Sequence, residues 1–245
     1  MSPYFEWVHG PLAHWARERP DAVALSNGAR ALSFAELHTE VQRRAARLEA
    51  APATVLLRDE GTLERLVDFL AVIASGRCAA MGDADWPASV AHAIAAQLPG
   101  HAMAGALTPE SPFYIGFTSG STGTPKGFRR HHRSWAESFR VTLDDFGADA
   151  AQRVLAPGRM SHSLFLFGAL LGLWSGAGAE VQERFSAPRA LATLAAGAAP
   201  VLVAVPSQLV LMLELARRRR LAPIAGVQLV LISGARWLRE RTPAL

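Results

Sequence analysis

The sequence predicts an α/β fold, with mainly parallel sheets flanked by helices. Two observations carry that expectation. Short continuous apolar runs, such as residues 201–205, alternate with segments of helical periodicity almost throughout, and strands buried on both faces read that way. The runs also recur in strand–helix–strand order, which places helices on both faces of a sheet.

The elements follow in order. Residues 22–25 and 31–34 flank Asn27-Gly28, a hairpin turn signal. Ser33, with Glu36 three residues later, forms a capping box. It opens a helix to about residue 49, with Leu37, Val41, Ala45 and Leu48 along one face. Residues 54–57 read as a strand, 63–74 as a helix ending at Gly76, 78–81 as a strand and 88–98 as a helix. A linker spans 99–112. Strand 113–117 then runs into a loop rich in glycine, serine and threonine, followed by a helix at 134–146. A strand at 154–156 precedes a very apolar helix at 164–174. Strands at 180–183, 201–205 and 227–232 are separated by helices at 187–198 and 207–218. The chain divides into a first α/β portion, 1–112, and a second, 113–245, which carries the loop.

Composition narrows the class. Of 245 residues, 50% are hydrophobic and 19% charged, enough apolar surface for a core and too little charge for a disordered tail. The formal charge of +4 comes from bases spread along the chain. The one dense run, Arg217 to Arg220, reads as the solvated end of an amphipathic helix, because no aromatic or glycine-rich binding element flanks it. No nucleic-acid partner is expected. Cys78 is the only cysteine, so an internal disulfide is excluded, and no Cys/His metal spacing exists. The first ten residues lack a signal-peptide pattern. Residues 190–213 are long enough to cross a bilayer, but Pro200, Pro206, Ser207 and Gln208 break them, so no membrane span is expected. The expected compartment is the cytoplasm.

The informative segment is Phe117-Thr118-Ser119-Gly120-Ser121-Thr122-Gly123-Thr124-Pro125-Lys126-Gly127. Gly120, Gly123 and Gly127 let the backbone bend so that several N–H groups face one anion. Ser119, Ser121, Thr122 and Thr124 add hydroxyl donors, and Lys126 adds a point charge. Lys126 is also the only lysine of the chain; the other 24 of its 25 bases are arginine. The segment follows a strand, and open α/β sheets bind ligands at the carboxyl ends of strands. Pro125 stands where a Walker loop has glycine, and the segment lacks the G-x-G pair of a dinucleotide fingerprint. A polyphosphate loop of another kind is left.

Residues 118–127 resemble the phosphate-binding signature of the adenylate-forming superfamily: acyl- and aryl-CoA synthetases, adenylation domains of peptide synthetases, and luciferases. Further matches lie in the same order. Leu32-Ser33-Phe34-Ala35-Glu36-Leu37 resembles an early strand-to-helix motif, and residues 69–81, with Ala74-Ser75-Gly76, a helix–glycine–strand segment. Residues 157–168, with His162, resemble the segment whose histidine or aromatic residue lies between the acyl and nucleotide sites; Val205-Pro206-Ser207 and Leu231-Ile232-Ser233-Gly234-Ala235 resemble two later strand ends.

The resemblance implies an enzyme that binds ATP and activates a carboxylic acid as an acyl-adenylate, which a thiol then attacks. CoA is the implied acceptor and a carrier-protein thiol the alternative. It implies that Thr118, Ser119, Gly120, Ser121, Thr122, Gly123, Thr124, Lys126 and Gly127 hold the phosphates. Thr122 would lie near Mg²⁺, itself held mainly by the ATP phosphates. Ser233, Gly234 and Ala235 would border the adenine. His162 on residue type alone could cap a buried helix; the resemblance gives it a substrate-site role beside Lys126 and Thr122. Relatives continue with a magnesium-binding acid, a ribose-binding aspartate and a small mobile domain carrying a second lysine. The chain is therefore expected to be a partial N-terminal domain, inactive alone. The competing expectation is a catalytically dead ATP-binding or assembly protein. Unpaired sheet edges give either form a route to dimerisation.

Overall fold

The computed structural model of the chain describes residues 5–58, 61–100, 106–118, 125–238 and 240. Helix α1 (Gly10–Glu18) precedes the hairpin of β1 (Val23–Ser26) and β2 (Ala31–Ser33). Then come α2 (Phe34–Ala45), β3 (Thr54–Leu57), α3 (Thr62–Ala74), β4 (Cys78–Met81) and α4 (Ala88–Ala95). The chain continues through β5 (Pro112–Thr118), β6 (Lys126–His131), α5 (His132–Phe146), β7 (Val154–Ala156) and α6 (Ser163–Ser175). It closes with β8 (Ala179–Val181), α7 (Ala187–Ala195), β9 (Val201–Ala204), α8 (Pro206–Arg218) and β10 (Leu229–Ile232).

The strands form a six-stranded sheet, β10-β9-β7-β8-β1-β2, and a four-stranded sheet, β3-β4-β5-β6. Among the described residues the β1–β2 and β5–β6 pairs are antiparallel and the other pairings parallel. The expected fold class is therefore the observed one. Each sheet takes strands from both sides of position 112.

Strand alternation splits the side chains of the six-stranded sheet between two cores. Val154, Ala156, Val201 and Val203 face the central core with α6, while Leu155, Leu202 and Ala204 face a second core with α7 and α8. In the four-stranded sheet, Ala79, Met81 and Tyr114 join the central core, and Cys78, Ala80 and Ile115 pack on the outer face with Leu56, Leu98 and Phe117. The central core thus lies between the inner faces of both sheets.

Local signals explain most boundaries. The Asn27-Gly28 turn is present: Gly28 takes φ +80°, and Asn27 Oδ1 accepts the N–H groups of Ala29 and Arg30. The Ser33/Glu36 capping box forms in both directions, a device worth about 1 kcal/mol. The stretch 190–213 divides into the end of α7, strand β9 and part of α8. Among the described residues no helix is long and apolar enough to cross a membrane. Arg217 to Arg220 lie exposed at the end of α8.

Two elements were not expected. In α1 only Pro11 and Leu12 are buried, so it lacks an apolar stripe. Distant partners hold it: Trp15 Nε1 donates to the Trp174 carbonyl at 3.0 Å, and Arg19 donates to the Gly176 carbonyl at 2.7 Å. The other is β6. Lys126 and Gly127, expected in a loop, open this strand, because residues 126–131 pair antiparallel with β5. The alternation in Lys-Gly-Phe-Arg-Arg-His is too polar to read as a strand without its partner.

Two glycines permit a close approach behind α6. Gly178 takes φ +79°, and a Cβ on Gly172 would stand 2.3 Å from the Gly178 carbonyl oxygen. The two residues are joined by a 2.8 Å hydrogen bond from the Gly178 N–H to the Gly172 carbonyl. Gly172→Ala should therefore destabilise the fold by about 1–3 kcal/mol, read as a lowered melting temperature in thermal denaturation.

A buried histidine ties the N-terminal segment to β5 and α5. His132 is 3% exposed, stacks on Phe113 at 4.8 Å and accepts the Val8 N–H at Nδ1, 3.2 Å away. That acceptor role requires neutral imidazole. Burial, and then the neighbouring His9 and His131, push its pKa down to about 3; burial takes His9 down to about 4. The unfolded chain titrates these groups near 6.5 and so takes up protons first as the pH falls. Their contribution is complete above about pH 6.5 and declines as the pH falls, to about 4 for His9 and about 3 for His132. Chemical denaturation at pH 7 and pH 5 should show this loss. His132→Asn, which keeps an acceptor near Nδ1 and cannot titrate, should reduce it.

Candidate functional site

A cavity of about 1270 Å³ opens where the two sheets meet. Its wall includes Met81 at the end of β4, Phe117 and Thr118 at the end of β5, Val205 after β9, and Ile232, Ser233 and Gly234 at and beyond the end of β10. These are carboxyl ends of parallel strands, where the chain must turn and backbone groups lack ladder partners. Two helices start at the same cavity. His162, Ser163 and Leu164 of the α6 start and Ser207 and Gln208 of the α8 start line it. Helix N-termini present unpaired N–H groups and partial positive charge, so the combination favours an anion.

Local contacts hold these pieces together. Gln208 is 7% exposed; its Nε2 donates to the Pro157 carbonyl at 3.0 Å and its Oε1 accepts the Val205 N–H at 3.2 Å. One side chain thus locks the α8 start to the turn before α6. Gly158 leaves room for the Phe165 ring and Gly168 for Val203, which seats α6 against β9. Across the cavity, Arg159 bridges Asp83 at 2.8 Å and Asp85 at 2.6 Å, tying the turn after β4 to the same pre-α6 turn. That bond, and then the charge of Arg159, hold the Asp85 carboxyl below the usual carboxylate range.

The expected site residues divide into three groups. Ser119, Gly120, Ser121, Thr122, Gly123 and Thr124 lie outside the described residues. Thr118, His162, Ser233 and Gly234 line the cavity. His162 occupies the N-cap position of α6 but makes no capping hydrogen bond with its side chain, so its imidazole remains exposed at the cavity wall. Lys126, Gly127 and Ala235 are exposed beside it without lining it. Lys126 pairs with Thr118 across the β5–β6 ladder, and Gly116 pairs with Phe128. Alternation therefore puts Lys126, Phe128 and Arg130 on one face of β6. Phe128 and Arg130 line the cavity, so Lys126 stands on the cavity face at its rim.

Residue-type reasoning missed Asp83, Trp86, Phe128, Arg130, Trp135 and Gln208, all of which line the cavity. Reading residues 126–131 as a strand would have found Phe128 and Arg130 by alternation. Nothing local marks Asp83, Trp135 or Gln208, which arrive from separate elements. Trp86 meets Phe117 edge-on at 4.9 Å, and Trp135 meets Phe167 edge-on at 5.5 Å, so aromatic pairs form part of the wall. Among the described residues no group of three or more His, Cys, Asp or Glu side chains could hold a metal ion.

Comparison with known proteins bears on this arrangement. Residues 95–243, more than half of the chain, match the sequence model of a family described as AMP-binding enzyme. An uncharacterized acyl-CoA ligase of Bacillus subtilis, YhfT, is 41% identical over 134 residues, which is 55% of this chain and 27% of that protein. A putative long chain fatty acid-CoA ligase of Staphylococcus epidermidis, VraA, is 26% identical over 182 residues, 67% of this chain and 40% of that one. The chain thus spans well under half the length of these two relatives. Among solved structures, O-succinylbenzoate coenzyme A synthetase from Bacillus subtilis in complex with AMP superposes with a TM-score of 0.78 at 17% identity, over 96% of this chain and 71% of that one. ATP-bound MatB from Rhodopseudomonas palustris gives 0.74 at 19% identity, over 96% and 57%. At these identities the likeness is one of fold.

Proposed function

The chain belongs to the AMP-binding enzyme family, and from that premise we propose that it binds ATP between its two sheets and activates a carboxylic acid as an acyl-adenylate, within an acid–thiol ligase. One observation carries the reading. The segment Thr118 to Gly127, which holds the only lysine, joins β5 to β6 at a cavity that also receives the starts of α6 and α8.

The chemistry asks the protein for positioning and charge. A carboxylate oxygen attacks the α-phosphorus of ATP, the bond to the β-phosphate bridging oxygen breaks, and pyrophosphate leaves with the electron pair. No protein nucleophile is required. Two anions must be brought together, and charge on the leaving group must be neutralised. Lys126 at the rim, with the hydroxyls and N–H groups of residues 118–124, is assigned to the β- and γ-phosphates. The helix starts at Ser163 and Pro206 favour negative charge deeper in the cavity. His162, exposed at the α6 start, is assigned to the acyl side of the nucleotide. Ser233 and Gly234 are assigned to the adenine edge, with Ala235 beside them.

Among the described residues the donor set does not fit a metal held by the protein. Asp83 is the cavity's acid, and it is committed to Arg159. Mg²⁺ is therefore assigned mainly to the ATP phosphates, with Thr122 beside it. CoA is the proposed acceptor, since both relatives are named as CoA ligases; a carrier-protein thiol is the alternative.

Two outcomes follow. Lys126→Ala removes a charge-assisted contact worth about 1.5–3 kcal/mol, so ATP binding by calorimetry should weaken roughly tenfold to a hundredfold. Equal affinity in the two proteins would remove Lys126 from the phosphate site. The second outcome concerns turnover. With Lys126 committed to the β- and γ-phosphates, the 245 residues hold no other lysine to bridge the carboxylate and the α-phosphate. This chain alone should therefore release no pyrophosphate above background when given ATP and a panel of fatty, aryl and amino acids. Robust acid-dependent release would show that a second lysine is dispensable.

A further inference from the structure

Tyr114 is buried completely, yet its hydroxyl has no hydrogen-bond partner among the described residues. A buried phenol normally finds one, so the orphan calls for a cause. Four residues explain where the hydroxyl lies. Tyr114 pairs with Arg130 across the β5–β6 ladder, and Gly116 pairs with Phe128. All four share the inner face of the sheet. Gly116 has no side chain, and its space is filled from two directions. A Cβ there would stand 2.4 Å from the Tyr114 hydroxyl and 2.3 Å from Phe128 Cζ. The hydroxyl therefore leans along the strand towards Thr118 and meets the edge of the Phe128 ring over Gly116.

Phe128, Arg130 and Trp135 line the cavity, and the Trp135 ring lies 5.3 Å from that of Tyr114. The hydroxyl thus sits one side chain beneath the cavity surface. Arg130 lies over the Phe128 ring at 5.1 Å and forms no ion pair among the described residues; its guanidinium donates only to the Arg129 carbonyl. Burial drives the Tyr114 pKa up and the Arg130 charge draws it back, so the two groups are within electrostatic reach. A latent donor, a free cation and two aromatic walls therefore meet at one patch. Two residues of strand, about 6.8 Å, separate Gly116 from Thr118, roughly the length of a benzene ring with its substituents.

Resting on the adenylation reading, we propose that this patch reads the far end of the acid: the substrate is an aryl acid with a hydrogen-bond-accepting group opposite its carboxylate, received by the Tyr114 hydroxyl and Arg130 when Phe128 moves aside. The ring would stack among Phe128, Trp135 and Phe167, and the carboxylate would point towards Thr118. A plain fatty acid would leave the orphan hydroxyl unanswered.

The test is calorimetric titration of the 245-residue chain with benzoate and with 4-hydroxybenzoate, beside an ATP titration of the wild type and Lys126→Ala. The wild type should bind 4-hydroxybenzoate roughly fivefold to tenfold more tightly than benzoate. Tyr114→Phe should abolish most of that preference, and Arg130→Gln should reduce it. Phe128→Leu, which uncovers the hydroxyl, should increase it. Because Tyr114→Phe deletes an unsatisfied group, its melting temperature should be equal to or above that of the wild type. Equal affinity of the wild type for the two acids would overturn the proposal. So would a chain that binds ATP in a Lys126-dependent manner but neither acid, an outcome that leaves the nucleotide assignment standing. A Tyr114→Phe protein that melts earlier and keeps the preference would make the hydroxyl structural and overturn it equally.

Discussion

Helix α6 has almost no face left for water. Phe165, Leu166 and every residue from Gly168 to Trp174 are buried, and its neighbours include β1, β7, β8, β9 and α1. A helix apolar all round needs apolar partners on every side. The six-stranded sheet supplies one side. The other is reached through aromatic rings: Phe167 meets Phe139 at 4.8 Å and Trp135 at 5.5 Å, and Trp135 meets Phe113 at 5.4 Å on the other sheet. Each such pair adds about 0.5–1.5 kcal/mol beyond the area it buries. This helix therefore forces the two sheets together, and the cavity exists because they meet at their carboxyl ends.

The positions of several candidate groups follow from that docking. The start of α6 is fixed by its burial, so His162 and Ser163 are carried to the cavity wall. Gln208 transfers the constraint to α8 by bonding to the Pro157 carbonyl. Arg159 transfers it to the other sheet by bridging Asp83 and Asp85. Neither ion pair needs to be strong for this. Such pairs near the surface contribute little to stability, but they set which turn faces which. The phosphate segment arrives separately, because the β5–β6 ladder holds its two ends, Thr118 and Lys126, side by side.

The local signals were readable because the physics behind them is local. A capping box needs only Ser33 and Glu36; a hairpin turn needs only Asn27-Gly28; a buried strand declares itself in four consecutive apolar residues. The segment around Lys126 stood out equally, since a lone lysine among glycines and hydroxyls is marked by composition alone. Strand β6 was not readable, because Arg129, Arg130 and His131 have no apolar period and pair only once β5 lies beside them. Helix α1 was not readable for the same reason, being held by Trp174 and Gly176, more than a hundred and fifty positions away.

The sequence by itself determined most element types, the alternation of strands and helices, the glycine- and hydroxyl-rich segment around the lone lysine and the family resemblance, because each rests on spacing within a few residues. Only the tertiary structure decided which strand ends face one another. It alone brought Asp83 to Arg159 and Gln208 to Pro157, and set Tyr114, Gly116, Phe128 and Arg130 in one square on a sheet face. Those arrangements depend on β-pairing register and on the burial of α6 between distant segments, and neither leaves a mark in the order of neighbouring residues.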